Sequence, residues 1–313
     1  MRLRCLALFL VLLYAPTAGA AEDIQAAGPN GALHGTVLLP ADGAPVILII
    51  PGSGPTDRDG NNPLGIKAAP YRLLAEGLAQ EGIGSVRIDK RGMFASKAAI
   101  PDANAVTVDD YVADARAWVA AARQRTGVSC VWLLGHSEGG LVALASARAP
   151  DVCGLILLAT AGRTIDAVIR EQLRANPANA PLLAAADRAL NSLKAGRRVD
   201  ISEVPPPLMA LFAPQVQGFI ISLMAHDPAT LAAQADKPLL VIQGDRDIQV
   251  SVAEAQRLKA AAPSATLTIL PGMNHVLKTV DTDDRRANIA TYADPHLPLA
   301  AGLVEAVATF VRR

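Results

Sequence analysis

Short apolar runs alternate along the chain with longer stretches in which apolar residues recur every three or four positions. Residues 33–39, 45–50, 85–88, 130–134, 152–158, 238–242 and 265–270 are near-continuous apolar runs of strand length. Residues 66–81, 107–125, 138–149, 251–261 and 299–311 carry the helical period; in the second of these, Val108, Tyr111, Val112, Ala115, Trp118, Val119 and Ala122 form one stripe. Thr107 with Asp110, and Ser251 with Glu254, have capping-box spacing and predict helix starts. Strands without polar alternation are buried on both faces. Their repeated exchange with helices therefore predicts an α/β fold, a mostly parallel sheet with helices on both sides.

Residues 163–236 interrupt this rhythm. They hold helical pieces at 166–174, 182–193 and 208–224, a Pro205-Pro206-Pro207 break and no strand-like run. An insertion between two strands of an open sheet sits at the strand tips, so this segment is expected to be a helical cap, with a peripheral decoration as the alternative. The expected organisation is a core of 21–162 and 237–313 with the cap between them.

The first twenty residues read differently. Arg2 and Arg4 precede an apolar run from Cys5 to Tyr14, and Ala18-Gly19-Ala20 offers the small-x-small pattern of signal-peptide cleavage. Ten apolar residues are too few to span a bilayer. Cleavage near Ala20 and a periplasmic or secreted location are expected, with no stable membrane span afterwards; an uncleaved anchor is the competing possibility. Without this segment 27 basic side chains face 29 acidic ones, a net of −2, and no basic face points to nucleic acid. The chain is 51% apolar and 4% aromatic, enough for a large aliphatic core. Cys130 and Cys153 remain, each at the start of one of two neighbouring strands. They either pair in an oxidising compartment or pack as small apolar groups. No Cys/His spacing suggests a metal site.

The chemistry concentrates in three places. Gly135-His136-Ser137-Glu138-Gly139 lies between a strand and a helix, a turn that lifts a serine above a sheet at a helix N-terminus. This arrangement resembles the nucleophile turn of the α/β-hydrolase superfamily, and the resemblance covers nearly all of the chain beyond residue 20. In that superfamily the order serine, acid, histidine implies Ser137 as nucleophile. The segment Gly244-Asp245-Arg246-Asp247-Ile248-Gln249-Val250 resembles the family's acid turn and implies Asp247, with Asp245 as competitor. Gly272-Met273-Asn274-His275 resembles its histidine loop and implies His275 as base; His34, His136, His226 and His296 fit that position worse. The oxyanion donors implied are the Glu138 N–H and an N–H from the loop after 45–50, Ser53 or alternatively Gly54.

That loop, Gly52-Ser53-Gly54-Pro55-Thr56-Asp57-Arg58-Asp59-Gly60-Asn61, together with Asp89-Lys90-Arg91-Gly92, resembles a bacterial carboxylesterase-like subgroup that is commonly grouped with serine aminopeptidases. Pro51 stands where the commoner form of the loop has histidine. Asp57, Arg58 and Asp59 are open between a salt-bridged turn and a substrate role; Asp89 and Arg91 are expected to brace their loop.

The resemblance implies a serine hydrolase acting through an acyl-enzyme on small or medium acyl esters, with neither metal nor organic cofactor. An aminopeptidase-like serine peptidase is the alternative, for which Glu138 or Asp227 would have to anchor a substrate amine. A non-catalytic binding protein on the same fold is the third.

Overall fold

The computed structural model describes residues 19–313, so the Arg2–Tyr14 part of the leader pattern lies outside the described residues. Eight strands form one sheet: β1 (Glu22–Ala26), β2 (Leu33–Leu38), β3 (Val46–Ile50), β4 (Gly84–Ile88), β5 (Val131–His136), β6 (Val152–Leu158), β7 (Leu239–Gly244) and β8 (Thr266–Leu270). Their spatial order is β1-β2-β4-β3-β5-β6-β7-β8. Only β1–β2 and β2–β4 pair antiparallel; the other pairs are parallel. The expected mostly parallel sheet is therefore present, with an antiparallel edge.

The helices are α1 (Pro70–Gln80), α2 (Val108–Thr126), α3 (Glu138–Ala145), α4 (Ile165–Ala175), α5 (Leu183–Lys194), α6 (Pro214–Met224), α7 (Pro228–Ala233), α8 (Val252–Ala261), α9 (Arg285–Ala290) and α10 (Leu303–Val311). The pleat of β3 divides them. Val46, Leu48 and Ile50 join the cluster formed with α2, α3 and α8. Ile47 and Ile49 join the opposite cluster with α1 and α10. Burial on both faces is why β3 reads as an unbroken apolar run. Between β6 and β7 the chain runs through α4 to α7, and α4, α5 and α6 share a separate apolar cluster centred on Leu190, Leu193 and Phe212.

Several boundaries differ from the sequence expectation for identifiable reasons. β1 escapes prediction because three of its five residues, Glu22, Asp23 and Gln25, face solvent on the sheet edge. α1 starts at Pro70 rather than at 66, since a proline favours the first helical position and Ala69 before it turns left-handed, φ 46°. The Thr107–Asp110 capping box forms at the head of α2. The Ser251–Glu254 box does not: Ser251 makes no side-chain cap. The buried Glu254 carboxylate instead accepts from Gly162 N at 2.9 Å and Arg163 Nε at 2.7 Å. A charge-assisted pair at the root of the inserted segment is stronger than a helix cap.

Cys130 and Cys153 form a disulfide with their Cα atoms 5.2 Å apart, tying the amino end of β5 to β6. No helix among the described residues is long and apolar enough to cross a membrane.

Candidate active site

Ser137 joins β5 directly to α3 with φ 54° and ψ −119°, a conformation a non-glycine residue adopts only under constraint. Close packing supplies the constraint. A Cβ on Gly139 would lie 2.3 Å from Ile50 O, and one on Gly140 would lie 2.0 Å from Thr160 Oγ1. Only glycines let α3 approach β3 and the end of β6 so nearly. Ser137 N donates to Leu158 O at 2.9 Å, which fixes the turn to the neighbouring strand.

Two turns bring the other residues to the same end of the sheet. After β7, Asp247 Oδ1 accepts from Gln249 N at 2.8 Å and Val250 N at 2.9 Å. Its Oδ2 accepts from Gln243 Nε2 at 3.0 Å and pairs with His275 Nδ1 at 2.8 Å. Burial alone would raise the Asp247 pKa, but the His275 charge and hydrogen bond, with the two backbone amides, hold it below the ordinary carboxylate value. The competitor Asp245 is engaged elsewhere: its Oδ1 accepts from Gly272 N at 2.7 Å and fastens β7 to the loop that carries His275.

Ser137 and His275 line a common cavity of about 230 Å³, bounded by Gly52, Ser53, Gly54, Leu64, Tyr71 and Val276. No hydrogen bond joins the Ser137 hydroxyl to the His275 imidazole, although both line this cavity. On its other side Ser137 borders a second cavity of about 210 Å³ beneath the inserted helices, walled by Leu141, Ile165, Val168 and Leu223 with Arg163 and His226. Ser53 lines both cavities, whereas Gly54 reaches only the first. Among the described residues no protein acceptor takes the Ser53 N–H.

The loop after β3 is braced by charge. Arg58 donates to Asp89 through Nε at 3.1 Å and Nη2 at 2.7 Å, and its own N–H reaches Asp89 Oδ1 at 2.9 Å. Arg87 pairs with Asp59, and Asp57 accepts from Asp59 N and Asn61 N. Arg91 is held by Asp110 and Asp114. These partners place Asp57, Arg58 and Asp59 in a salt-bridged turn.

His136, next to the serine, is part of a chain that residue patterns did not suggest. Its Nε2 lies 2.9 Å from His275 O, a carbonyl that can only accept, so Nε2 carries the proton. Nδ1 then accepts from Tyr71 Oη at 2.8 Å, and Tyr71 Oη in turn accepts from Gly52 N at 3.1 Å. Burial first, then the neighbouring His275, push the His136 pKa down to about 3. Because the unfolded chain binds that proton near pH 6.5 and the folded one does not, this residue contributes stability above pH 6.5 that is lost as pH falls towards 3. Chemical-denaturation scans at successive pH values should show a decline of up to about 1.4 kcal/mol per pH unit from this one group. The slope should be shallower by that amount in His136→Asn.

A serine on a strand–helix turn at the carboxyl end of a parallel sheet, with a histidine held by a carboxylate from a later strand, defines the α/β-hydrolase class. The chain belongs to the serine aminopeptidase S33 family (Hydrolase_4), which matches residues 64–282. It is 28% identical over 257 residues to esterase EstD of Thermotoga maritima, covering 79% of this chain and 58% of that protein. The chain thus spans little more than half the length of that relative. Among solved structures, an esterase of Pyrococcus furiosus shares the fold with a TM-score of 0.57 at 17% identity, covering 94% of this chain and 91% of the other. Est1E of Butyrivibrio proteoclasticus has a TM-score of 0.57 at 17% identity, with 93% and 99% covered.

Proposed function

We propose that the protein is a serine ester hydrolase that works through an acyl-enzyme. The observation that carries the reading is the strained Ser137 turn, opening on the cavity that the Asp247-paired His275 also lines. His275 takes the Ser137 proton as Oγ attacks the ester carbon. Asp247 fixes the imidazole tautomer and stabilises its charged form. The Ser53 and Glu138 N–H groups receive the carbonyl oxygen as it becomes an oxyanion. His275 then gives its proton to the departing alkoxide, and water, activated by the same base, releases the acid.

The two cavities divide the substrate. The leaving oxygen must meet His275, so the alcohol portion occupies the cavity His275 lines. The acyl group then lies beneath the inserted helices, which serve as the cap. That cavity of about 210 Å³, with walls from Leu141, Ile165, Val168 and Leu223, suits a small or medium apolar acyl group. The peptidase reading wants an acidic anchor for a substrate amine. Asp227 is occupied in capping α7, and burial raises the Glu138 pKa, disfavouring the charge needed.

The test is hydrolysis of p-nitrophenyl esters of rising acyl length beside aminoacyl p-nitroanilides, with fluorophosphonate labelling of the protein. Ester turnover that is highest for small or medium acyl chains and declines for long ones is expected. Turnover of anilides alone would support the peptidase, and absence of both turnover and labelling the binding protein.

We also propose that the protein works in an oxidising compartment outside the cytoplasm, after removal of residues 1–20. The Cys130–Cys153 disulfide and the leader pattern support this. Cell fractionation with amino-terminal sequencing checks it; a cytoplasmic protein retaining Met1 would overturn it.

A further inference from the structure

Lys90 follows the carboxyl end of β4, beside β3, and is 6% exposed. Among the described residues no carboxylate lies within ion-pair distance of its Nζ. That ammonium donates to Gly52 O at 2.6 Å and stands 5.6 Å from the centre of the Tyr111 ring. A small cavity of about 20 Å³ is lined by Lys90 together with Tyr111, Asp114 and Glu138, and the Glu138 charge acts on the ammonium through space. Burial lowers the Lys90 pKa and the Glu138 charge opposes that shift, while the direct hydrogen-bond partner of the ammonium among the described residues is the Gly52 carbonyl. The Arg58–Asp89 and Arg91–Asp114 pairs on either side of it show how this loop satisfies its other cations.

The carbonyl that Lys90 holds has a particular place in the chain. Gly52 C=O and Ser53 N–H belong to one peptide unit. In a planar trans peptide they point in opposite directions. Drawing the carbonyl inward to Lys90 therefore turns the Ser53 N–H outward, to the side where Ser53 and Ser137 line both cavities. A positive charge on the carbonyl also polarises the unit and makes its N–H a stronger donor. The other edge of the same glycine is pinned as well, because Gly52 N donates to Tyr71 Oη, which runs on through His136 to the carbonyl of His275.

We propose that Lys90 is a positioning residue of the oxyanion hole, aiming and polarising the Gly52–Ser53 peptide whose N–H stabilises the charge that develops on the substrate oxygen. The proposal rests on the ester-hydrolase reading. Lys90 touches neither Asp247 nor His275; its hydrogen bond is to the peptide that carries the oxyanion donor. Its effect belongs to the transition state and leaves ground-state binding alone.

Lys90→Met, one atom shorter than lysine, keeps an apolar stem and removes the donor and the charge; Lys90→Gln, of the same length as methionine, keeps a neutral N–H donor. Losing a whole oxyanion donor costs about 10²–10³ in kcat, so misaiming one is expected to cost K90M about 10–100-fold with K90Q in between. KM should stay within about twofold of wild type. The inhibition constant of a substrate-like trifluoromethyl ketone, whose adduct on Ser137 carries an oxyanion, should rise by the same factor as kcat falls. Thermal denaturation of each variant measures what a merely structural role would produce. The proposal is overturned if kcat and the ketone constant stay at wild-type values, if the loss is confined to KM, or if Tm falls while the ketone constant does not move. If K90M does not fold, the same comparison of K90Q with wild type decides. Ser137→Ala on the same substrates separates the two levels: turnover that survives it defeats the hydrolase reading, whereas a dead S137A beside an unimpaired K90M defeats only the role of Lys90.

Discussion

Ser137→Ala is expected to lower kcat for a p-nitrophenyl ester by about 10⁵–10⁶-fold, the scale seen when the nucleophile of a serine hydrolase is removed. The fold should survive. The turn is held by Ser137 N–H on Leu158 O and by the close approach of Gly139 to Ile50, neither of which uses the hydroxyl. Alanine inherits the backbone strain at φ 54°. Glycine does not, and the relief of about 1–3 kcal/mol exceeds the 0.5–1 kcal/mol of chain entropy that glycine costs. Ser137→Gly should therefore be about 1 kcal/mol more stable than Ser137→Ala in urea denaturation and equally inactive. A glycine variant less stable than the alanine one would show that the turn carries no strain, and wild-type turnover in either would remove Ser137 from the mechanism.

Asp247→Asn is expected to cost about 10⁴-fold in kcat with little change in KM, because an amide imposes the wrong tautomer on the histidine. The surroundings settle which way that amide points. Oδ1 accepts two backbone amides, from Gln249 and Val250, so the asparagine oxygen must stay there. Its NH₂ then faces His275 Nδ1, which becomes an acceptor and puts the ring proton on Nε2, where a base is needed. Gln243 Nε2 would lose its bond to residue 247, but it keeps the one to Val250 O at 2.9 Å, so the cost is to stability rather than to the fold. Asp247→Asn should thus fold and be inert, whereas Asp245→Asn should keep wild-type kcat and lose only stability. Steady-state kinetics on the two variants tests the choice between these aspartates directly. Equal losses in both, or the larger loss in Asp245→Asn, would reverse it.

The match between the sequence and these geometries is uneven in an instructive way. Asp247 and Asp245 are two residues apart in one turn, and the register with Gly244 and Val250 favours Asp247 without removing Asp245 as competitor. Which of them meets His275, and which ties down Gly272, depends on the twist of the chain after β7. Asp57, Arg58 and Asp59 were likewise ambiguous, because a charged loop residue reads the same whether it meets a substrate or another part of the protein. Arg58 finds Asp89 across 31 positions of sequence, a separation that no local pattern encodes. The Ser251–Glu254 box failed for a related reason. Its glutamate has a better partner in Arg163, at the far end of a long insertion. Lys90 stands in the Asp89-Lys90-Arg91-Gly92 run without a role that the residues alone suggest, although its place just past the tip of a predicted strand is where such sheets carry their sites.

By itself the sequence determined the parallel sheet, because strands buried on both faces must be apolar throughout and their helices must carry a stripe. It also determined the serine turn, since glycines flanking a serine between such a strand and such a helix leave the chain few other conformations. Those properties are local, written in the residues that make them. Only the tertiary structure decided which aspartate holds His275, that Cys130 and Cys153 lie 5.2 Å apart at Cα, that two cavities meet at Ser137, and that a buried lysine grips the peptide of Ser53. Each of these depends on residues brought together from distant parts of the chain, and such distances exist only once the sheet has closed and the inserted helices have settled over its edge.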